Sequence, residues 1–229
     1  MDVTTSVHIS YDQQERPYHP LIARLVADHA PQGGSVLDVG CGLGWIVGEI
    51  DRLRPDLSIT AADVDPHCLD RAVARVPRAT ALPIDLNGDW LPDRRFDAIV
   101  LSHVLEHTMR PVDTLREILG HLEPGGVAVV AVPNPARPDV MVKAAMRVHY
   151  ANRGHVVAWD RSHWQVFLED VVGVDVVAYA SDFVRILPVR LVQRVPVLAR
   201  LEIALARILP WWSFSNIAVI RAPAGAGDR

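Results

Sequence analysis

From Ser35 to Gly44 the chain reads Ser-Val-Leu-Asp-Val-Gly-Cys-Gly-Leu-Gly. Val36 to Val39 read as a buried strand interrupted only by Asp38. Three glycines follow at alternate positions, Gly40, Gly42 and Gly44. Beyond them Trp45, Ile46, Ile50 and Leu53 recur on one face of a helix. A strand that turns through glycines into a helix builds a ligand loop. Glycine admits positive φ and lets a ligand sit on the backbone. The helix N-terminus points unbonded N–H groups toward the same place. The spacing then separates the ligands. A dinucleotide fingerprint is G-x-G-x-x-G, whereas this run is G-x-G-x-G with an acidic residue two places upstream. The Gly-Lys-Ser/Thr of a Walker loop is missing from it.

The chain around this loop alternates strands and helices. His19 to Ala30 is amphipathic, with Leu21, Ile22, Leu25 and Val26 on one face. Leu57 to Ala62 reads as a second strand, and Pro66 to Val76 as a helix that Asp65 caps with Pro66 at its first position. Ala79 to Leu82 is a third strand, and Asn87-Gly88-Asp89 a turn. Phe96 to Leu101 is a fourth strand, Pro111 to Leu122 a helix, and Val127 to Val132 a fifth strand apolar enough to be buried on both faces. Asp139 to Tyr150 is a helix and Ala151 to Asp160 a loop. Ser162 is placed to cap a further helix. Val174 to Tyr179 and Ser215 to Arg221 are the last strands. Apolar strands alternating with helices imply a parallel sheet with right-handed crossovers, whose ligands bind at the carboxyl ends of the strands.

The string V-L-D-V-G-C-G-L-G resembles the first motif of the class I S-adenosylmethionine-dependent methyltransferases, and later segments are similar to that family too. Asp63-Val64-Asp65-Pro66, Phe96-Asp97-Ala98-Ile99, Val104-Leu105-Glu106-His107, Leu122-Glu123-Pro124-Gly125-Gly126 and Asp160-Arg161-Ser162-His163 all have family counterparts. The resemblance covers residues 18 to 135 strongly and 160 to 221 loosely. It implies an α/β, Rossmann-like sheet of seven mostly parallel strands with helices on both faces. An α-helical cap is inserted before the last strand. It implies S-adenosyl-L-methionine as cofactor, held by Asp38, Gly40, Cys41, Gly42, Gly44, Asp63, Val64, Asp85, Leu86, Ser102 and Tyr18. Asp63 would accept from the ribose hydroxyls. Asp85 and the Leu86 N–H would meet the adenine. Arg16, Tyr18 and His19 could reach the methionine end. One methyltransferase domain, 1–229, is expected. It divides into a helical lead-in (1–30), a cofactor core (31–135), acceptor-side elements (136–180), a helical cap (181–213), a last strand (214–221) and a disordered tail (222–229).

Methyl transfer to a hydroxyl needs a base, and histidine suits that near neutral pH. His107 and His103 follow strand four, and His163 opens a later helix at the same edge. With these candidates, and with no Asn-Pro-Pro-Tyr amine signature, oxygen is the expected acceptor atom. His103-x-x-Glu106-His107 also spells the H-x-x-E-H of a zinc peptidase, but that motif needs a long helix and here it follows a strand. Some ubiquinone-pathway O-methyltransferases carry E-x-x-E-H here and hold a divalent cation. His103 replaces the first of those glutamates, so no metal is expected. Glu106 is expected to anchor the loop or an arginine.

Composition narrows partners and compartment. A formal charge of −4 gives no support for nucleic-acid binding. Two cysteines suit a reducing compartment. Neither a signal peptide nor a spanning run is read, so a cytoplasmic location is expected. Residues 185–212 carry five arginines, one acid and Trp211-Trp212. Leu198, Leu201, Ala204, Leu205 and Ile208 share a helix face there. Turned inward, that face caps an acceptor pocket. Turned outward, it gives peripheral membrane contact. Both imply a small hydrophobic acceptor, lipid-like or a natural-product intermediate. Two rivals are a nicotinamide-dependent oxidoreductase and a noncatalytic, membrane-associated S-adenosylmethionine-binding protein.

Overall fold

The computed structural model describes residues 14–86, 94–149, 151, 154–187 and 189–222. The Asn87-Gly88-Asp89 turn, the tail after residue 222 and most of the polar lead-in lie outside the described residues. Seven strands form one sheet: β1 Ser35–Val39, β2 Ser58–Asp63, β3 Thr80–Pro83, β4 Phe96–Ser102, β5 Leu122–Pro133, β6 Asp175–Ala180 and β7 Ser215–Arg221. Their order is β3-β2-β1-β4-β5-β7-β6. The first five run parallel, and β7 runs antiparallel between β5 and β6. The order reverses beside β1, so the loops leaving β1 and β4 flank the crevice where open α/β sheets bind ligands.

Alternation along the strands supplies two cores. Val36, Ile59, Ala61, Val100, Val129 and Val219 face one side. There they meet Ile22 and Val26 of α1 (Tyr18–His29), Val47 and Ile50 of α2 (Trp45–Leu53), and Leu69 and Ala72 of α3 (Pro66–Arg75). Leu37, Val39, Ile99, Leu101, Val130 and Ile220 face the other side. Leu115 and Ile118 of α4 (Pro111–Gly120) cover them, together with Trp159, Trp164 and Phe167. Helices on both faces and a mostly parallel sheet match the expected class.

Several element ends differ from the sequence reading, each for a local reason. α4 stops at Gly120, and Leu122 instead opens β5 by pairing with Phe96. The helix expected to reach Tyr150 is α5, Pro138–Ala145. Arg147 breaks it by taking a positive φ of 56°, which an arginine does not adopt within a helix. Ser162 does not cap α6 (Arg161–Val166). Asp160 does, accepting from the His163 N–H at 3.0 Å, and Ser162 lies inside the first turn.

The insertion holds α7 (Val189–Arg194) and α8 (Pro196–Ile208). Of the two orientations left open for the apolar face of α8, Leu201 and Ile208 lie outward, 48% and 75% exposed, whereas Glu202 and Ala206 are buried. The reason is polar. Glu202 Oε1 accepts from the N–H groups of Ile186 and Leu187, both at 3.1 Å, and its carbonyl accepts from Val184 N–H at 3.0 Å. A carboxylate that satisfies two main-chain donors rotates the helix around itself. The far end is held by Asn134, whose Nδ2 donates to the carbonyls of Trp211 and Ser213 at 2.9 and 3.0 Å.

Gly44 shows how closely the site is packed from behind. Its φ is +74°, and a Cβ there would stand 2.6 Å from the Cα of Ala72 in α3. Gly44→Ala is therefore expected to destabilise the fold by roughly 2–4 kcal/mol, from left-handed strain plus overpacking. Urea denaturation measures this, and an unchanged midpoint would contradict the packing.

Candidate active site

The site begins where β1 ends. The N–H groups of Gly40 and Cys41 both donate to the carbonyl of Ala62, at 2.8 and 2.9 Å, which ties the loop to β2. Asp63 completes the tie. Its Oδ2 accepts from Gly42 N–H at 2.9 Å and its Oδ1 from Asp65 N–H at 3.0 Å. These two bonds fix the orientation of the Asp63 carboxylate beside the loop. Gly40, Gly42 and Gly44 have φ of 71°, 50° and 74°, the region glycine enters freely. A Cβ on Gly40 would also strike Val104. Asp38 is fully buried in β1 next to this loop. Cys41 is buried, and burial pushes its thiol well above the usual range, so it stays a neutral packing group.

The remaining predicted cofactor residues flank this loop. Val64 follows Asp63 with 65% of its surface exposed. Asp85 is exposed and Leu86 half-buried just past β3. Ser102 ends β4; its Oγ is buried and bonds to none of the described residues. Tyr18 is buried at the start of α1, its ring centroid 4.6 Å from that of His103. The neighbouring His19 accepts the Arg16 N–H on Nδ1 at 2.9 Å. Burial, helped by Arg16 and Arg75, holds His19 down to about 3, so it is neutral.

A second cluster forms just past β4. His103 takes a positive φ of 56°. Its Nε2 lies 3.0 Å from Ser215 Oγ, and its Nδ1 3.8 Å from Glu106 Oε1. Burial holds this ring neutral too, down to about 3. Glu106 is 1% exposed. Of the two roles expected for it, anchoring the loop or an arginine, its side chain meets no arginine but three histidine rings. His107 Nε2 and His155 Nε2 each stand 3.9 Å from the same Oε1 as His103. Neither carboxylate oxygen takes a hydrogen bond from the described residues. Burial raises Glu106 to about 8. Its main-chain carbonyl accepts from Val156 N–H at 2.8 Å, which docks the loop carrying His155. His107 Nδ1 lies 3.0 Å from the carbonyl of Gly154 in the same loop.

His103 and His107 thus meet, whereas His163 does not join them. Its side chain is 76% exposed, and its Nδ1 is held 2.6 Å from Asp160. Sequence reasoning missed His155. It sits in a loop with neither periodicity nor motif, which the main chain of Glu106 and the side chain of His107 hold in place.

Fold and loop together define a class I, S-adenosylmethionine-dependent methyltransferase. Residues 11–178 match the methyltransferase domain family, and the chain belongs to it. A trans-aconitate 2-methyltransferase from Rhodopseudomonas palustris is 27% identical over 123 residues, 54% of this chain and 46% of that protein. An uncharacterized methyltransferase from Mycobacterium tuberculosis is 36% identical over 104 residues, 44% and 52% of the two chains. The chain thus spans about half the length of these curated relatives. Among solved structures, the N-methyltransferase NodS from Bradyrhizobium japonicum, bound to S-adenosylhomocysteine, aligns with a TM-score of 0.62 and 19% identity, covering 93% of this chain and 91% of that one. The plantazolicin methyltransferase BpumL, in complex with a monoazolic desmethylPZN analogue and S-adenosylhomocysteine, aligns with a TM-score of 0.63 and 15% identity over 95% and 89%.

Asp63 gives the sharpest prediction of this geometry. Asp63→Ala should weaken S-adenosylmethionine binding by about 1.5–3 kcal/mol, the loss of a charge-assisted acceptor that also holds the loop. Calorimetry reads the change, circular dichroism checks the fold, and an unchanged affinity would remove Asp63 from the site.

Proposed function

We propose that the chain methylates a hydroxyl oxygen of a small, apolar acceptor, using S-adenosylmethionine. The cofactor supplies a methyl group on a sulfonium, ready for in-line displacement. The residues present fit it. Glycines in left-handed conformations leave backbone open to a ligand, Asp63 offers acceptor positions for ribose hydroxyls, and Ser102 Oγ is a buried polar atom at the same edge. Asp85 and Leu86 are assigned to the adenine, and Tyr18 to the methionine end.

The observation that carries the oxygen assignment is the histidine cluster beyond β4. Of the three predicted bases, His107 is best placed. A carbonyl can only accept, so the bond to Gly154 fixes the hydrogen on Nδ1 and leaves the lone pair on Nε2. That nitrogen is the one to take a proton from the acceptor. His103 is already bonded to Ser215, and His163 is turned to solvent. An apolar acceptor is supported by exposed side chains on the insertion, on α5 and just after it: Leu201, Ile208, Trp211 and Trp212, with Met141 and Met146. No helix among the described residues is long and apolar enough to cross a membrane.

The test is a screen of small-molecule extracts with methyl-labelled S-adenosylmethionine. Label is expected as a methyl ether in an apolar fraction. His107→Ala should lower turnover about 10²–10⁴-fold while cofactor affinity holds. Label on an amine, or on a small carboxylic acid such as the relatives' trans-aconitate, would contradict the assignment. A carboxylate needs no base, so an unchanged rate in the variant would contradict it too.

A further inference from the structure

We infer that Arg75, the last residue of α3, is a positioning residue for S-adenosylmethionine, clamping the second half of the glycine loop and the Trp45 indole at the start of α2. Its Nε donates to the Leu43 carbonyl at 3.3 Å. Its guanidinium carbon stands 3.7 Å from the centre of the Trp45 ring. Arg75 lies outside the glycine motif, at the end of the second helix beyond it.

The loop needs this hold because its other tethers act on its first half. The N–H groups of Gly40 and Cys41 bond the Ala62 carbonyl, and that of Gly42 bonds Asp63. The Leu43–Gly44 peptide follows, set between two glycines in left-handed conformations. Glycine backbone rotates at little cost, so this peptide is the part of the loop most free to turn. It is held at both ends. The Gly44 N–H donates to the Cys41 carbonyl at 3.0 Å, and the Leu43 carbonyl accepts from Arg75. A charged donor on that carbonyl makes a stronger bond than a neutral one.

The sequence of α2 makes room for the clamp. A Cβ on Gly48 would stand 2.6 Å from Cδ of Arg75 and 3.2 Å from its Cγ. Glycine inside a helix is less stable than alanine, and here its bare backbone receives the arginine stem. Tryptophan is the aromatic face that best attracts a cation. The His19 ring lies parallel to the same indole, with centroids 6.4 Å apart and planes 5° apart. Burial, helped by Arg16 and Arg75, holds His19 neutral, so it packs there without a second charge near the guanidinium. Tyr18 meets His19 edge to face at 4.4 Å. The clamp therefore links the loop, α2, α3 and the start of α1.

This inference goes beyond the proposed function: it concerns the cofactor alone and is measured without an acceptor. The test compares the full chain with Arg75→Met, Arg75→Lys and Gly48→Ala by calorimetric titration with S-adenosylhomocysteine, urea denaturation and amide hydrogen exchange. Methionine keeps an apolar stem and removes the charge and the donor. Arg75→Met should bind about 10-fold more weakly. Lysine returns a cation over Trp45, so Arg75→Lys should recover to within about 3-fold of wild type. Gly48→Ala should also bind about 10-fold more weakly, because its methyl displaces Arg75, while its urea midpoint stays the same or rises with helix propensity. Amides of residues 40–46 should exchange faster in Arg75→Met and Gly48→Ala than in wild type. If Arg75→Met does not fold, Gly48→Ala decides. Wild-type affinity in Gly48→Ala, wild-type affinity in a folded Arg75→Met, or a loss in Arg75→Met that lysine does not reduce would overturn the inference.

Discussion

The structure depends on the junction between β1 and β2. Two N–H groups of the glycine loop share the Ala62 carbonyl, and a third bonds Asp63. The loop cannot move without breaking three main-chain donors away from β2. Behind it, Gly44 rests on Ala72 and leaves no room for a side chain. The same contacts that let the chain turn from strand to helix therefore also hold the loop backbone in one shape. Binding a cofactor on a preformed loop avoids the entropy of ordering it.

A second junction works differently. Beyond β4, order comes from polar side chains and from main-chain carbonyls, those of Glu106 and Gly154 among them. Burial leaves His103 neutral and makes a charge on Glu106 unfavourable. Buried ionisable groups without full compensation are concentrated where proteins do chemistry. The two junctions lie at the ends of adjacent strands, β1 and β4.

The parts legible in sequence are those governed by local rules. The glycine spacing, the Asp65 cap with Pro66, and the apolar run of β5 each follow from backbone conformation or burial, and the structure has all three. The parts not legible depend on contacts distant in the chain. Glu202 is the lone acid of a basic, apolar stretch, yet it decides which face of α8 is buried, because Ile186 and Leu187 needed an acceptor. His155 meets Glu106 across about fifty residues through main-chain hydrogen bonds that no periodicity announces. His163 stood in a recognisable segment, but there Asp160 and Trp164 serve the fold: one caps the helix and the other fills the core.

The central claim is that the G-x-G-x-G loop and its β2 anchor select an S-adenosyl nucleoside over a dinucleotide. Parallel calorimetric titrations of the unmodified chain with S-adenosylhomocysteine and with NAD test it directly. The account predicts saturable one-to-one binding of S-adenosylhomocysteine and no measurable heat from NAD. Equal or tighter binding of NAD would contradict it.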